Sequence, residues 1–293
     1  MAGKYQAKYS RLSKIMKNIA GNLLTLGITT KGRVDELVET LRLIEASELK
    51  SCPIILIDDG GGGQFIEAAE FELDLNIYRY KESQGLVARR NELTERCKTK
   101  YLMSLDDDSA PESGAIDDVL DLLEANKDVA AVALNLYNEA SEHLDPSMPN
   151  FIARYYVGCG HIYRVAIFKK LGGYSGDLFY GHEEREYALK LARASLNIMH
   201  VNYYIVKHRK SDINRVVGYN ARMSRNLGWI NGTYLGILPN IIELYSFLKG
   251  KKINQVGVAL KDYFDGLRAR KHESKLTFSQ YWKWKRKKTP TVA

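Results

Sequence analysis

The chain has 293 residues, is 45% hydrophobic and 27% charged, and so has the composition of a soluble globular protein with room for one large domain or two small ones. Its net charge of +8 favours anionic partners: nucleotides, acidic lipid surfaces or nucleic acid. The three scattered cysteines, Cys52, Cys97 and Cys159, exclude a disulfide framework and a zinc finger, and point to a reducing, cytoplasmic compartment.

Residues 1–20 read as a basic helix with Tyr5, Tyr9, Leu12, Met16 and Ile19 near one face. Lys4, Lys8, Arg11, Lys14 and Lys17 interrupt any apolar run there, so no signal peptide is expected. Residues 23–29 form a buried strand that ends in Thr29, Thr30 and Arg33. A helix follows, with Val34, Leu37, Val38, Leu41 and Ile44 on one face. A second strand, residues 53–57, ends in Asp58, Asp59 and four glycines. A third is expected at 75–80, a helix at 86–97, and a fourth strand from Tyr101 delivers Asp106, Asp107 and Asp108 to its C-terminal end, with a turn at 110–112. Another helix carries Ile116, Val119, Leu120 and Leu123, and another strand covers 129–136. Strands alternating with helices predict a parallel α/β sheet with right-handed crossovers, whose ligand crevice lies at the C-terminal strand ends. Three adjacent carboxylates there repel one another. They fit either a divalent-metal site that holds a diphosphate or a solvated acidic turn.

Four segments, in order, resemble the nucleotide-binding half of a GT-A fold glycosyltransferase of the inverting, metal-dependent family 2. They are Thr29 to Arg33 after strand one, Asp58-Asp59-Gly60 after strand two, Gly85 to Asn91 at a helix start, and Leu105 to Ser109 as the family's DxD. The second half is similar too. Gly158 to Arg164 leads into a strand and helix beneath the acceptor site. Gly181-His182-Glu183-Glu184 resembles a helix start that carries the base, His208 stands where the family often has a metal-binding histidine, and Arg225-Asn226 follows. The resemblance implies a GT-A nucleotide-binding mixed sheet flanked by helices. It divides the chain into a catalytic domain at 21–235 (donor half 21–110, acceptor half 111–235) and a helical, basic C-terminal extension at 236–293. Two departures stand out: Gly61 replaces a usual serine, leaving contacts to the donor base uncertain, and Glu184 replaces a commoner aspartate.

The implied reaction moves a sugar from a nucleotide-sugar donor, a UDP-sugar by preference, to an acceptor hydroxyl of a glycan or lipid-linked saccharide, with Mn²⁺ or Mg²⁺. Asp106, Asp108 and His208 are the implied metal ligands. Thr29, Thr30, Arg33, Asp58, Asp59, Arg90, Asn91, Asp106 and Asp107 would line the donor site, with Asp59 or Asp58 on the nucleobase. Glu184 is the expected general base, beside Glu183, with Glu186 as fallback. Each has a plainer reading: an ordinary hydrogen bond for His208, a surface position for Arg90, and helix-dipole complementation for the glutamates. The acceptor loop is expected at residues 141–156, with Trp229 nearby.

Three other readings compete. Transfer to nucleic acid or protein shares the donor chemistry. A nucleotidyltransferase would place its glycines after strand one rather than strand two. A basic nucleic-acid or membrane module, resting on residues 268–288, leaves the carboxylates unexplained. Tyr281, Trp282 and Trp284 alternate with Lys283 and Lys285, a composition suited to peripheral attachment to the cytoplasmic face of an anionic membrane, to nucleic acid, or to packing on the catalytic domain. The apolar stretch 228–248 is broken by Asn231, Pro239, Asn240 and Glu243, so it should not span a bilayer.

Overall fold

The computed structural model describes residues 19–62, 65–138, 144–209, 219–249 and 251–290. The expected N-terminal basic helix lies outside them except for residues 19 and 20, which belong to a short helix, α1 (Ile19–Leu23).

Four strands form the donor half: β1 (Leu24–Thr30), β2 (Ile54–Asp58), β3 (Leu75–Arg79) and β4 (Tyr101–Asp106). They pair in parallel in the spatial order β3-β2-β1-β4. Every residue of β1 and β2 is buried, as expected of strands covered on both faces, and this explains their near-continuous apolar sequence. Helix α2 (Val34–Glu45) buries Leu37, Leu41 and Ile44 on one side of the sheet. Helix α3 (Leu86–Arg96) buries Val87 and Leu93 on the other.

The acceptor half turns the sheet from parallel to mixed. It contains β5 (Ser109–Ser113), α4 (Ile116–Ala125), β6 (Val129–Tyr137), β7 (Phe151–Ala153), β8 (His161–Arg164), α5 (Val165–Lys170), α6 (Glu183–Arg193) and β9 (Asn197–His208). β8 runs antiparallel between β4 and β6, β9 pairs parallel with β6, and β5 and β7 each pair antiparallel with β9. The turn expected at residues 110–112 is instead strand β5. Pro111 cannot donate to a ladder, but β5 is the last strand of the sheet path, with an irregular register between Pro111 and Ser113, where a proline is tolerated.

Four helices complete the chain: α7 (Tyr219–Tyr234), α8 (Ile237–Leu248), α9 (Ile253–Arg268) and α10 (Phe278–Lys285). None is long and apolar enough to cross a membrane among the described residues. In α9, Tyr263 is fully buried whereas Phe264 faces outward. α10 starts at a capping box between Thr277 and Gln280 and packs onto the catalytic half. Tyr281 and Trp284, i and i+3 on one helix face, are 0% and 1% exposed, and the Trp284 indole donates to the Arg154 carbonyl at 3.0 Å. These two rings therefore offer no platform to a membrane or to nucleic-acid bases. Of the three readings of the tail, they take the packed one.

Candidate active site

Register across the parallel strands brings the acidic ends together: Thr30 pairs with Asp58 across β1 and β2, and Thr29 with Asp106 across β1 and β4. The three consecutive aspartates then take three different environments. Asp106 receives Arg90 Nη2 at 2.8 Å and keeps 23% of its side chain exposed. Asp107 turns fully inward, where Thr30 Oγ1 donates at 2.6 Å and Arg33 Nε at 3.1 Å. Burial pushes its carboxyl up to about 7, against the opposing pull of Arg33. Asp107 thus fixes the loop after β1 and is not open to a donor. Asp108 accepts from Arg33 Nη1 at 2.9 Å and lies 3.3 Å from His208 Nε2.

His208 ends β9, which the β5 pairing places opposite Ser109. Burial works against its charge, but hydrogen bonds to Asp108 and Cys159 push its pKa up to about 11, so a metal ion would have to displace that proton before the imidazole could act as a ligand. A carboxylate with an imidazole is a donor pair that suits Mn²⁺. No group of three His, Cys, Asp or Glu side chains among the described residues is arranged to hold a metal. Asp108 and His208 fit as two ligands, and the oxygens of a bound diphosphate would have to fill out the shell.

The acids after β2 hold the loops instead of facing outward. Asp59 accepts from Ser83 Oγ, the Gln84 and Gly85 amides and Arg89 Nε, at 2.6–2.9 Å, so its hydrogen-bonding capacity is used in starting α3. The expected nucleobase contact is not available to it in this arrangement. Asp58 is 1% exposed, accepts from the Gly61 amide at 3.0 Å and pairs with Arg79 at 3.3 Å. Gly61 stands where a serine is usual because a Cβ there would lie 2.4 Å from the Gly32 nitrogen. Asn91 clamps Tyr174, bonding its amide and its carbonyl at 2.9 Å each, and so holds a loop rather than a ligand. Thr29 is 6% exposed, and its hydroxyl has no hydrogen-bond partner.

Arg90 joins the acidic strand end to the helix that carries the glutamates. Its Nη1 lies 2.5 Å from Glu183 and 3.7 Å from Glu184, while Nη2 holds Asp106. Burial disfavours the charge of the guanidinium, but Asp106 and Glu183 outweigh it and raise its pKa. Glu183 is 1% exposed and committed to this pair, whereas Glu184 keeps 21% of its side chain exposed. Burial and the neighbouring Glu183 raise the Glu184 carboxyl, with Arg90 opposing. Glu186 points away from the site, bound by Tyr234 at 2.5 Å and Lys190 at 2.8 Å inside the fold, so it is no alternative base.

Two contributors were not marked as site residues by the sequence pattern. At Gly158 a Cβ would meet Arg90 Nη1 at 2.4 Å and Glu184 Oε1 at 2.6 Å, so only glycine lets these groups meet; the Gly158-Cys159-Gly160 run was the available signal. Asn226 donates to the Tyr180 and Gly181 carbonyls at 2.9 Å and fixes the turn into α6, where His182 takes a left-handed φ of 67°. Trp229 is 2% exposed in the core. Of the expected acceptor loop, residues 141–143 lie outside the described residues.

A mixed α/β sheet with an acidic strand end, joined through one arginine to a carboxylate helix, defines a transferase of the GT-A type. Residues 25–183, more than half the chain, match the glycosyl transferase family 2 model, and the chain belongs to that family. No curated protein matches the sequence. Among solved structures it is similar to S. aureus TarS 1-349 in complex with UDP-GlcNAc, at 14% identity and a TM-score of 0.62, over 84% of this chain and 81% of that one. It is also similar to GalNAc-T7 with UDP, GalNAc and Mn²⁺, at 13% identity and a TM-score of 0.61 over 83% of this chain, spanning only 54% of that chain. The mannosyltransferase PcManGT from Pyrobaculum calidifontis, in complex with GDP-Man and Mn²⁺, aligns at 13% identity with a TM-score of 0.52, over 84% of this chain and 74% of that one.

Proposed function

We propose that this enzyme transfers a sugar from a nucleotide-sugar donor, a UDP-sugar first among the candidates, to an acceptor hydroxyl on a glycan or lipid-linked saccharide, with inversion at the anomeric carbon. The observation that carries the reading is the Arg90 bridge, which holds Asp106 and the Glu183-Glu184 pair around one guanidinium. Solved relatives of the same fold hold UDP, UDP-GlcNAc or GDP-Man, two of them with Mn²⁺, in support of this donor class.

Asp108 and His208 would hold the divalent ion, with Asp106 beside them at the donor. That ion supplies Lewis-acid neutralisation of the negative charge developing on the leaving diphosphate. Glu184 accepts the proton of the acceptor hydroxyl as that oxygen attacks the anomeric carbon, because its raised basicity suits proton uptake near neutral pH. Attack opposite the leaving group converts an α-linked donor into a β-glycoside. Arg90 stays charged throughout and holds Glu183, keeping the neighbouring base oriented.

The test is calorimetry of UDP binding with and without Mn²⁺, on the parent and on Asp108→Asn. The expected result is affinity that depends on metal in the parent and falls at least about tenfold in the variant, with the variant still folded by circular dichroism. Equal metal-dependent affinity in both proteins would remove Asp108 from the donor site.

A further inference from the structure

We propose that the outer face of α8 is a docking surface for an anionic lipid bilayer, lying in the plane of the membrane. Ile237 is 84% exposed, Tyr245 67%, Ile241 58% and Leu238 54%, and these are among the most exposed large apolar side chains of the described residues. Ile237, Ile241 and Tyr245 fall at i, i+4 and i+8, so they form one continuous outward stripe with Leu238 at its edge. Such a contiguous apolar face on a folded chain marks an interaction site.

Charge selects the occupant. The helix's only acid, Glu243, is turned inward and 5% exposed, where it holds Arg154, Arg185, Tyr281 and Lys285. The outer face therefore carries no carboxylate of its own. Lys249, Lys251 and Lys252 follow directly at its C-terminal end, with Lys249 and Lys252 exposed and the Lys251 ammonium 4.4 Å from the Phe247 ring centre. An apolar stripe that ends in a cationic cluster complements acyl chains beneath anionic headgroups. The helix has 12 residues, too few to span a bilayer.

The same helix is tied to the catalytic one. Arg185, the residue after Glu184, donates to Glu243 at 2.8 Å, so a bilayer held against α8 lies at a fixed offset from the expected base. Membrane contact thus belongs to α8 rather than to the tail, where Tyr281 and Trp284 are buried. The docking stands on this face alone and does not depend on the transfer reading.

Co-sedimentation of the full chain with phosphatidylcholine vesicles, with and without about one-third phosphatidylglycerol, tests it. The parent should sediment with the anionic vesicles and remain in solution with the neutral ones. Ile237→Ser/Ile241→Ser should lower the partition coefficient at least about tenfold. Lys249→Gln/Lys252→Gln should lower it about 25-fold at low salt, from about fivefold per cation. Both substitutions are on exposed side chains, so melting temperatures and UDP affinity should stay at the parent values. A parent that stays in the supernatant overturns the proposal, as does unchanged sedimentation of both variants. A parent dimer that Ile241→Ser dissociates, without vesicle binding, would assign the face to a second copy of the chain and equally overturn it.

Discussion

Arg90 and Glu183 share a 2.5 Å ion pair in which the side chains are 3% and 1% exposed, so the link between donor strand and base helix is made almost out of reach of water. A buried pair of this kind adds little stability by itself, but breaking it from one side leaves an uncompensated charge. Arg90→Ala should therefore cost about 3–5 kcal/mol in urea unfolding. Arg90→Lys keeps the charge but not the fork that reaches two carboxylates, and should recover part of the stability and little of the transfer rate. An Arg90→Ala variant as stable as the parent would contradict the bridge.

The pH profile follows from the direction of the Glu184 shift. Burial and Glu183 raise this carboxyl from its ordinary 4.5 to about 8. A base must be ionised to accept a proton, so transfer at saturating donor should rise with pH and level off above about 8. The linkage has a matching sign. The folded state holds this proton more tightly than the unfolded chain, so the group's contribution to stability is full below 4.5 and is lost as pH rises through about 8. A rate flat from about pH 6 to about pH 9 would place the titrating base elsewhere.

Glu243 shifts the other way. Burial would raise it, but Arg185, Lys285 and Arg154 overcome burial and hold it at about 2. Its contribution to stability is present above its ordinary 4.5 and is lost as pH falls through about 2. Glu243→Gln leaves several cations around an uncharged buried group, and should cost about 3–5 kcal/mol at neutral pH. The gap to the parent should narrow on acidification through that window. Thermal melts of both proteins across the acid range read this directly, and a gap independent of pH would contradict the ion-pair account.

Much of the fold was legible because strand burial and helix faces are local patterns. The apolar runs of β1 and β2, and the spacing of Leu37, Leu41 and Ile44, state their environments in the sequence itself. What was not legible depends on groups distant in sequence. Nothing near Asp59 announces the donors from Ser83, Gln84, Gly85 and Arg89 that occupy it. Asp107 looks equivalent to Asp106 and Asp108 until Arg33 and Thr30 turn it inward. In the tail, the eye follows the Trp-Lys alternation, whereas the helix places Tyr281 and Trp284 on one face and buries both. Pro111 suggested a turn because a central strand excludes it, and only the sheet order reveals that β5 is an edge.

The most direct measurement compares kcat for sugar transfer by the parent, Glu184→Gln, Glu183→Gln and Glu186→Gln, with UDP affinity recorded for each. Glu184→Gln keeps the side-chain shape and removes the base, so kcat should fall by about 10² or more while UDP affinity holds. Glu186→Gln, buried against Tyr234 and Lys190, should lose stability rather than base function. Normal transfer by Glu184→Gln, with the loss appearing only in Glu183→Gln or Glu186→Gln, would contradict the assignment of the base.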